Sequence, residues 1–291
     1  MKKIPLIPKA IKTKRMKKYF LFIAIILALY SPLKLYAGFP VGKGRSVLCF
    51  AYNAYYSHRN FDDNGHLQDG KPGDYFISHY FSLYAAHGLT RRWDIFAAVP
   101  FVYEISKSDG VTNSRNGFAD AMAGLEYTFV NKDFNKYTTL KGSIIWPLYD
   151  NGTNTLDIGY GVPGMDFTIN YVYTPRSIRN KGYYMLEGSY RHYFADDGPD
   201  QFLFDAERSF TIKRFNFLNF GISGTYSSST NKSSNPNPTL NKDFAYAEVK
   251  LTYGRRVWRN ITLYLEGFYT PIGRNSGEGI GGVFLAVFKF P

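Results

Sequence analysis

The chain predicts an all-β fold, a transmembrane antiparallel β-barrel of about twelve strands with both termini periplasmic. Three observations predict it. Aromatic residues make up 18% of the 291 residues while the mean hydropathy is −0.26, a pairing foreign to a soluble core and to a helical membrane protein alike. About twelve segments alternate apolar and polar residues with period two, as a strand between lipid and a wet lumen must. The connections between these segments alternate short and long.

The N-terminus is read as a removable export signal, residues 1–37, followed by the barrel, 38–291. Lys2, Lys3, Lys9, Lys12, Lys14, Arg15, Lys17, Lys18 and Lys34 precede or flank the apolar run Tyr19–Tyr30, and Leu35-Tyr36-Ala37 offers a cleavage site before Gly38. The run is too short for a spanning helix, which needs about twenty apolar residues. Met16 is an alternative start, giving a leader of ordinary proportions. The leader carries no acid, so most of the formal net charge of +12 leaves with it and the remainder is nearly balanced. Nucleic acid is therefore not an expected partner. The single cysteine, Cys49, excludes an internal disulfide framework and lies away from the cleavage boundary, which argues against a lipoprotein anchor.

Strands are expected at 45–57, 74–87, 93–104, 119–130, 137–149, 165–173, 182–194, 201–211, 215–226, 244–253, 260–270 and 280–290. In the third, Trp93, Ile95, Ala97, Val99, Phe101 and Tyr103 share one face, while Asp94 and Glu104 belong to the other. Ala121, Ala123, Leu125 and Tyr127 likewise oppose Asp120, Glu126 and Thr128, and Ala245, Val249 and Leu251 oppose Glu248, Lys250 and Thr252. A soluble β-sandwich would have shorter strands and more charge on its outer faces.

Short connections at 88–92, 131–136, 174–181, 212–214 and 254–259 read as periplasmic turns. The others, including 58–73, 105–118, 150–164, 227–243 and 271–279, read as extracellular loops. The turns are basic, with Arg91, Arg92, Lys136, Arg255, Arg256 and Arg259 among them, and phospholipid headgroups account for that. The loops are acidic, and divalent cations bridging lipopolysaccharide could gather there. Neither Phe61–Gly65 nor Ala195–Asp200 completes a calcium loop with a distal Glu. Aromatic strand ends, among them Tyr52, Tyr55, Trp93, Tyr103, Trp146, Tyr149, Tyr183, Tyr193, Phe268 and Tyr269, read as two interfacial girdles.

The lumen-lining candidates are Asp94, Glu104, Asp120, Glu126, Lys141, Glu187, Arg191, Glu248, Lys250 and Glu266. Charged side chains in a narrow pore select what passes. In a small barrel the same residues can instead satisfy one another and fill the interior. No catalytic residue, metal or cofactor is expected. Ser57-His58 and Ser78-His79 are adjacent in strands and so point to opposite faces, and no glycine-rich phosphate motif is present.

Two segments carry a family resemblance. Gly88-Leu89-Thr90-Arg91-Arg92-Trp93-Asp94, leading into Val99-Pro100-Phe101, resembles the turn and strand of the outer-membrane family named for the MetA pathway of phenol degradation. Gly117-Phe118-Ala119-Asp120 through Gly124-Leu125-Glu126-Tyr127 resembles its next hairpin strand, and Gly38–Gly44 is similar to the mature N-terminus of XagA-type barrels. The resemblance covers about residues 38 to 130. It implies a transport-like barrel for hydrophobic compounds or one linked to surface polysaccharide, and it assigns no binding residue. The expected function is thus an outer-membrane channel for small solutes, with a sealed structural or surface-binding barrel as the alternative and a lipid hydrolase a distant third. Expected partners are outer-membrane lipid, lipopolysaccharide and, through the aromatic C-terminus Phe288-Lys289-Phe290, the assembly machinery. Pro291 after the final Phe departs from that signal.

Overall fold

The computed structural model describes residues 39–132, 135–151, 157–175, 182–213, 215–232 and 240–291, with backbone alone at 130–132 and 213. The expected leader lies outside the described residues, as do the basic turn residues at 176–181 and 214.

Fourteen antiparallel segments form one sheet. They are β1 (Ser46–Phe61), β2 (Leu67–Asp69), β3 (Tyr75–Gly88), β4 (Trp93–Ser108), β5 (Val111–Phe118), β6 (Asp120–Lys132), β7 (Lys136–Pro147), β8 (Gly164–Tyr173), β9 (Tyr184–Tyr193), β10 (Asp200–Lys213), β11 (Asn216–Ser228), β12 (Phe244–Arg256), β13 (Ile261–Arg274) and β14 (Ser276–Phe290). The sheet closes on itself, with Ser46 of β1 opposite Phe290 of β14 and Phe61 opposite Ser276. Closure removes the open edge of the wall.

Twelve staves make that wall. The short β2 only pairs with the tip of β1, and β5 continues β6. β4 pairs with β6 up to Ala98 opposite Met122, then with β5 from Phe101 opposite Phe118, one residue out of step. Ala119 is the extra residue, its N–H donating to the Pro100 carbonyl at 3.0 Å, so β5 and β6 are one stave with a bulge.

The two faces of the wall invert the arrangement of a soluble protein. Along β8, Asp166, Thr168, Asn170 and Val172 are buried while Phe167, Ile169 and Tyr171 are exposed. Ile144, Leu186, Phe202 and Leu265 are each more than half exposed on other staves. Leaving one such side chain in water forgoes about 1.5–3 kcal/mol, and a belt of them around the whole wall is stable only against lipid.

The alternation locates the staves, and three details depart from the reading of the sequence. Residues 105–118 are not a loop: β4 and β5 form a hairpin whose two-residue turn is Asp109 (φ 53) and Gly110 (φ 78), between Ser108 and Val111. Residues 271–279 are not a loop either, because β13 and β14 run on and reverse at Asn275 (φ 47). Here the strands extend past the apolar belt, where both faces are wet and nothing enforces alternation. The third departure concerns the girdles. Trp93, Trp146 and Tyr269 are exposed as expected, but Tyr193 and Phe268 are buried in the interior, and Tyr55, Tyr149 and Tyr183 also lie on the inward face. A strand end offers two faces, and a residue list at strand ends does not separate them.

Candidate functional site

The interior is the candidate site, and it has three levels. One end of the barrel carries the short turns, residue 39 and Phe290; we call it the turn end, and the opposite end the loop end.

At the turn end, residues 39–44 do not hang free. The Gly44 N–H donates to the Gly88 carbonyl at 2.7 Å and the Gly88 N–H to the Arg45 carbonyl at 2.9 Å, which fixes the segment to the start of the wall. A Cβ on Gly88 would stand 1.9 Å from the Gly42 carbonyl oxygen, so only glycine fits at that crossing. Beyond it the Val41 N–H donates to Asp94 Oδ2 at 2.8 Å, and Val41 packs on an inward apolar patch of Val47, Cys49, Ala51, Leu285 and Val287. Phe39 reaches Tyr137 (ring centroids 5.6 Å apart) and meets Tyr183 edge-on at 5.5 Å. Tyr183 leads into β9, which stands six places from β1 in the ring of twelve staves. The strap therefore spans the barrel from side to side.

The middle level is polar and mostly acidic. Lys141 lies 3.6 Å from Glu126 and 3.9 Å from Glu187, with Asn170 Nδ2 donating to Glu187 at 2.9 Å. Lys250 pairs with Asp205 at 2.5 Å, and nearer the loop end Arg191 pairs with Asp166 at 3.0 Å. Glu207 accepts hydrogen bonds from Tyr183 at 2.5 Å and Asn219 at 3.1 Å, Glu248 from Ser223 at 3.3 Å, and Glu266 from Thr252 at 2.7 Å. Among the described residues Lys141, Arg191 and Lys250 each have a carboxylate partner, and Glu207 and Glu266 accept from hydroxyl and amide donors. Glu126 Oε1 is buried without a hydrogen-bond partner among the protein atoms.

At the loop end, Tyr149 and residues 157–161 after β7 reach inward. Tyr149 Oη donates to Asp120 Oδ1 at 2.9 Å and accepts the Gly161 N–H at 3.1 Å. Arg115 of β5, whose cross-strand neighbour is Glu104, donates to Asp157 at 2.8 Å and to the Asp150 carbonyl at 2.7 Å. Tyr160 continues the crossing: its ring stands edge-on to Tyr193 (4.8 Å, 84°), its hydroxyl donates to the Asn241 carbonyl at 2.9 Å, and Gln201 Nε2 donates to it at 3.2 Å. Asn241 in turn donates to the Asn275 carbonyl at 3.0 Å, and the Asn275 N–H donates to the Asp62 carbonyl at 3.0 Å.

All ten residues singled out from the sequence thus fall on the inward face, at different levels: Asp94 under the strap, Glu126, Lys141, Glu187, Glu248, Lys250 and Glu266 in the middle, and Glu104, Asp120 and Arg191 towards the loop end. Reading the sequence missed Asp166, Asp205 and Glu207, whose alternation was as plain as that of their neighbours, and it missed the tyrosines that reach inward. The acidic sequence Phe61–Gly65 is a turn closed on itself, Asp62 Oδ1 accepting the N–H groups of Asn64 and His66 at 2.9 and 2.8 Å. His79 faces outward and bonds Tyr52 Oη through Nδ1 at 2.8 Å, on the face opposite Ser78.

No protein-family model matches the sequence. No curated protein matches it either. Among solved structures, the crystal structure of an outer membrane channel from Pseudomonas putida F1 is similar, with a TM-score of 0.71 at 14% identity over 89% of this chain and 99% of that one. The translocator domain of the autotransporter NalP from Neisseria meningitidis is similar with a TM-score of 0.50 at 10% identity, over 96% of each chain. The fold is that of the outer-membrane β-barrels.

Proposed function

We propose that this protein is an outer-membrane channel for small solutes. The observation that carries this reading is a closed twelve-stave wall, apolar outside, whose inner face carries carboxylates, cations, hydroxyls and amides at each level beside the apolar patch around Cys49. Charged and polar side chains facing a narrow passage set which solutes cross it. Residues 1–37 would be the export signal, the turn end would face the periplasm with both termini, and outer-leaflet lipopolysaccharide would surround the loop end. Kinship with the phenol-degradation family rests on the quoted motifs and on the shared fold.

Planar-bilayer recording of the purified protein tests the reading: stepwise currents are expected. A second reading has its own support, since the strap and the Tyr160 crossing bridge both ends. A barrel sealed by these two crossings would give no current from wild type, and current only when the strap and the Tyr160 crossing were opened together.

A further inference from the structure

We infer that Tyr160 is the size-selecting residue of the loop-end entrance, admitting small polar solutes and holding back bulky ones. This rests on the channel reading. A passage is limited where rigid groups cross it, and the loop-end crossing is held from both sides. On one side Asp120, Tyr149 and Arg115 fix the inward turn; on the other, Tyr193, Gln201 and the Asn241 carbonyl receive Tyr160. Tyr193 and Gln201 are 5% exposed, so Tyr160 meets wall residues already locked in place.

Tyrosine suits the task because its ring has only two side-chain torsions to order and its hydroxyl both donates and accepts. Here it does both, to a carbonyl and from an amide, which ties the inward turn to β10 and to the residues leading into β12. A solute entering at this end meets hydroxyls, amides and the Asp120 carboxylate, surfaces that replace the water of a small polar molecule and offer nothing to a large apolar one. The ring, rather than its hydrogen bonds, supplies the bulk. That separation makes the inference testable.

The experiment compares wild type, Tyr160→Phe and Tyr160→Ala in planar bilayers and in liposome swelling with arabinose, glucose, sucrose and raffinose, after heat-modifiable gel mobility has shown each barrel closed. Tyr160→Ala is expected to raise single-channel conductance by about twofold and to admit the next larger sugar, while Tyr160→Phe keeps the wild-type size limit. A closed, conducting Tyr160→Ala barrel with unchanged conductance and size limit overturns the inference alone. Current from Tyr160→Ala but not from wild type would show that Tyr160 closes the passage instead of sizing it, and overturns the inference. No current from any of the three removes the channel reading, and this inference with it.

Discussion

Phe39 meets Tyr183 edge-to-face, with 5.5 Å between ring centroids at 85°, although its own segment enters the wall at β1 on the other side of the barrel. Edge contacts of this kind contribute about 0.5–1.5 kcal/mol each. With Tyr137 as the second partner, the outer end of the strap is held by about 1–3 kcal/mol, weak enough to open without unfolding the wall. Removing residues 39–41 is expected to raise single-channel conductance by about twofold or more, and Phe39→Ala to add flicker between two levels. Unchanged traces from both variants would show that the strap does not limit the passage.

The middle of the lumen predicts a preference for cations. Lys141 answers two carboxylates at once, Glu126 and Glu187, while Glu207 and Glu266 accept from hydroxyl and amide donors. A unit charge facing low-dielectric walls attracts a mobile counter-ion by several kcal/mol at about 4 Å. Potassium should therefore permeate ahead of chloride, and the reversal potential in a tenfold KCl gradient should have the sign of a cation pore. Glu187→Gln should reduce that potential and Lys141→Met enlarge it. Chloride preference in the wild type would refute the electrostatic argument while leaving the channel in place.

How much of this was legible in the sequence depends on where lipid acts. Inside the apolar belt, period two is compulsory, so Trp93 to Glu104 and Ala119 to Phe129 disclose their faces and Asp94, Asp120 and Glu126 are found. Past the belt both faces are wet, and residues 271–279 read as a loop because glycine, asparagine and serine fill them. The Asp109-Gly110 hairpin was legible, since that dipeptide is a strong two-residue turn signal; it was outweighed by the polarity of its flanks. The two crossings were not legible. Nothing local in Phe39 or Tyr160 shows that their partners are Tyr183 and Asn241, far along the chain and brought near only by closure of the wall.

The loop end should be acid-sensitive, and the direction follows from Asp243. Arg274 and Lys232, at 2.7 and 2.8 Å, hold its carboxyl below the ordinary carboxylate value, Arg274 foremost. A depressed folded value means stability that is fully present above the unfolded value and is lost as pH falls through the folded one. Asp197, lowered by Lys242 and Asn231, behaves alike on the neighbouring loop. Protection against hydrogen exchange at Asn241–Phe244, taken relative to the intrinsic rate at each pH, should stay flat from pH 8 to about 5 and fall below about pH 4. Arg274→Ala should bring the loss of protection to higher pH; identical profiles for the variant and the wild type would rule the pairing out as the cause.

Two glycines at the closing seam predict different outcomes for the same substitution. Tyr55 and Phe268 stack 6.3 Å apart at 16°, lying across Gly279 and Gly281 of β14. A Cβ on Gly279 would come within 2.0 Å of the Tyr55 ring, whereas one on Gly281 would meet both the Phe268 ring at 2.2 Å and the Ala54 carbonyl at 2.4 Å. Overpacking of this sort costs about 1–3 kcal/mol. A side chain can be cut back; the β1 backbone cannot. Gly279→Ala should therefore lower the thermal midpoint in detergent and be substantially restored by Tyr55→Leu. Gly281→Ala should lower it at least as far and stay low when Phe268→Leu is added, because Ala54 O still blocks the methyl group across the β1–β14 pairing. Equal rescue of both pairs would show that the seam yields at its backbone, and that closure of the barrel is looser there than the register from Ser46 to Phe61 implies.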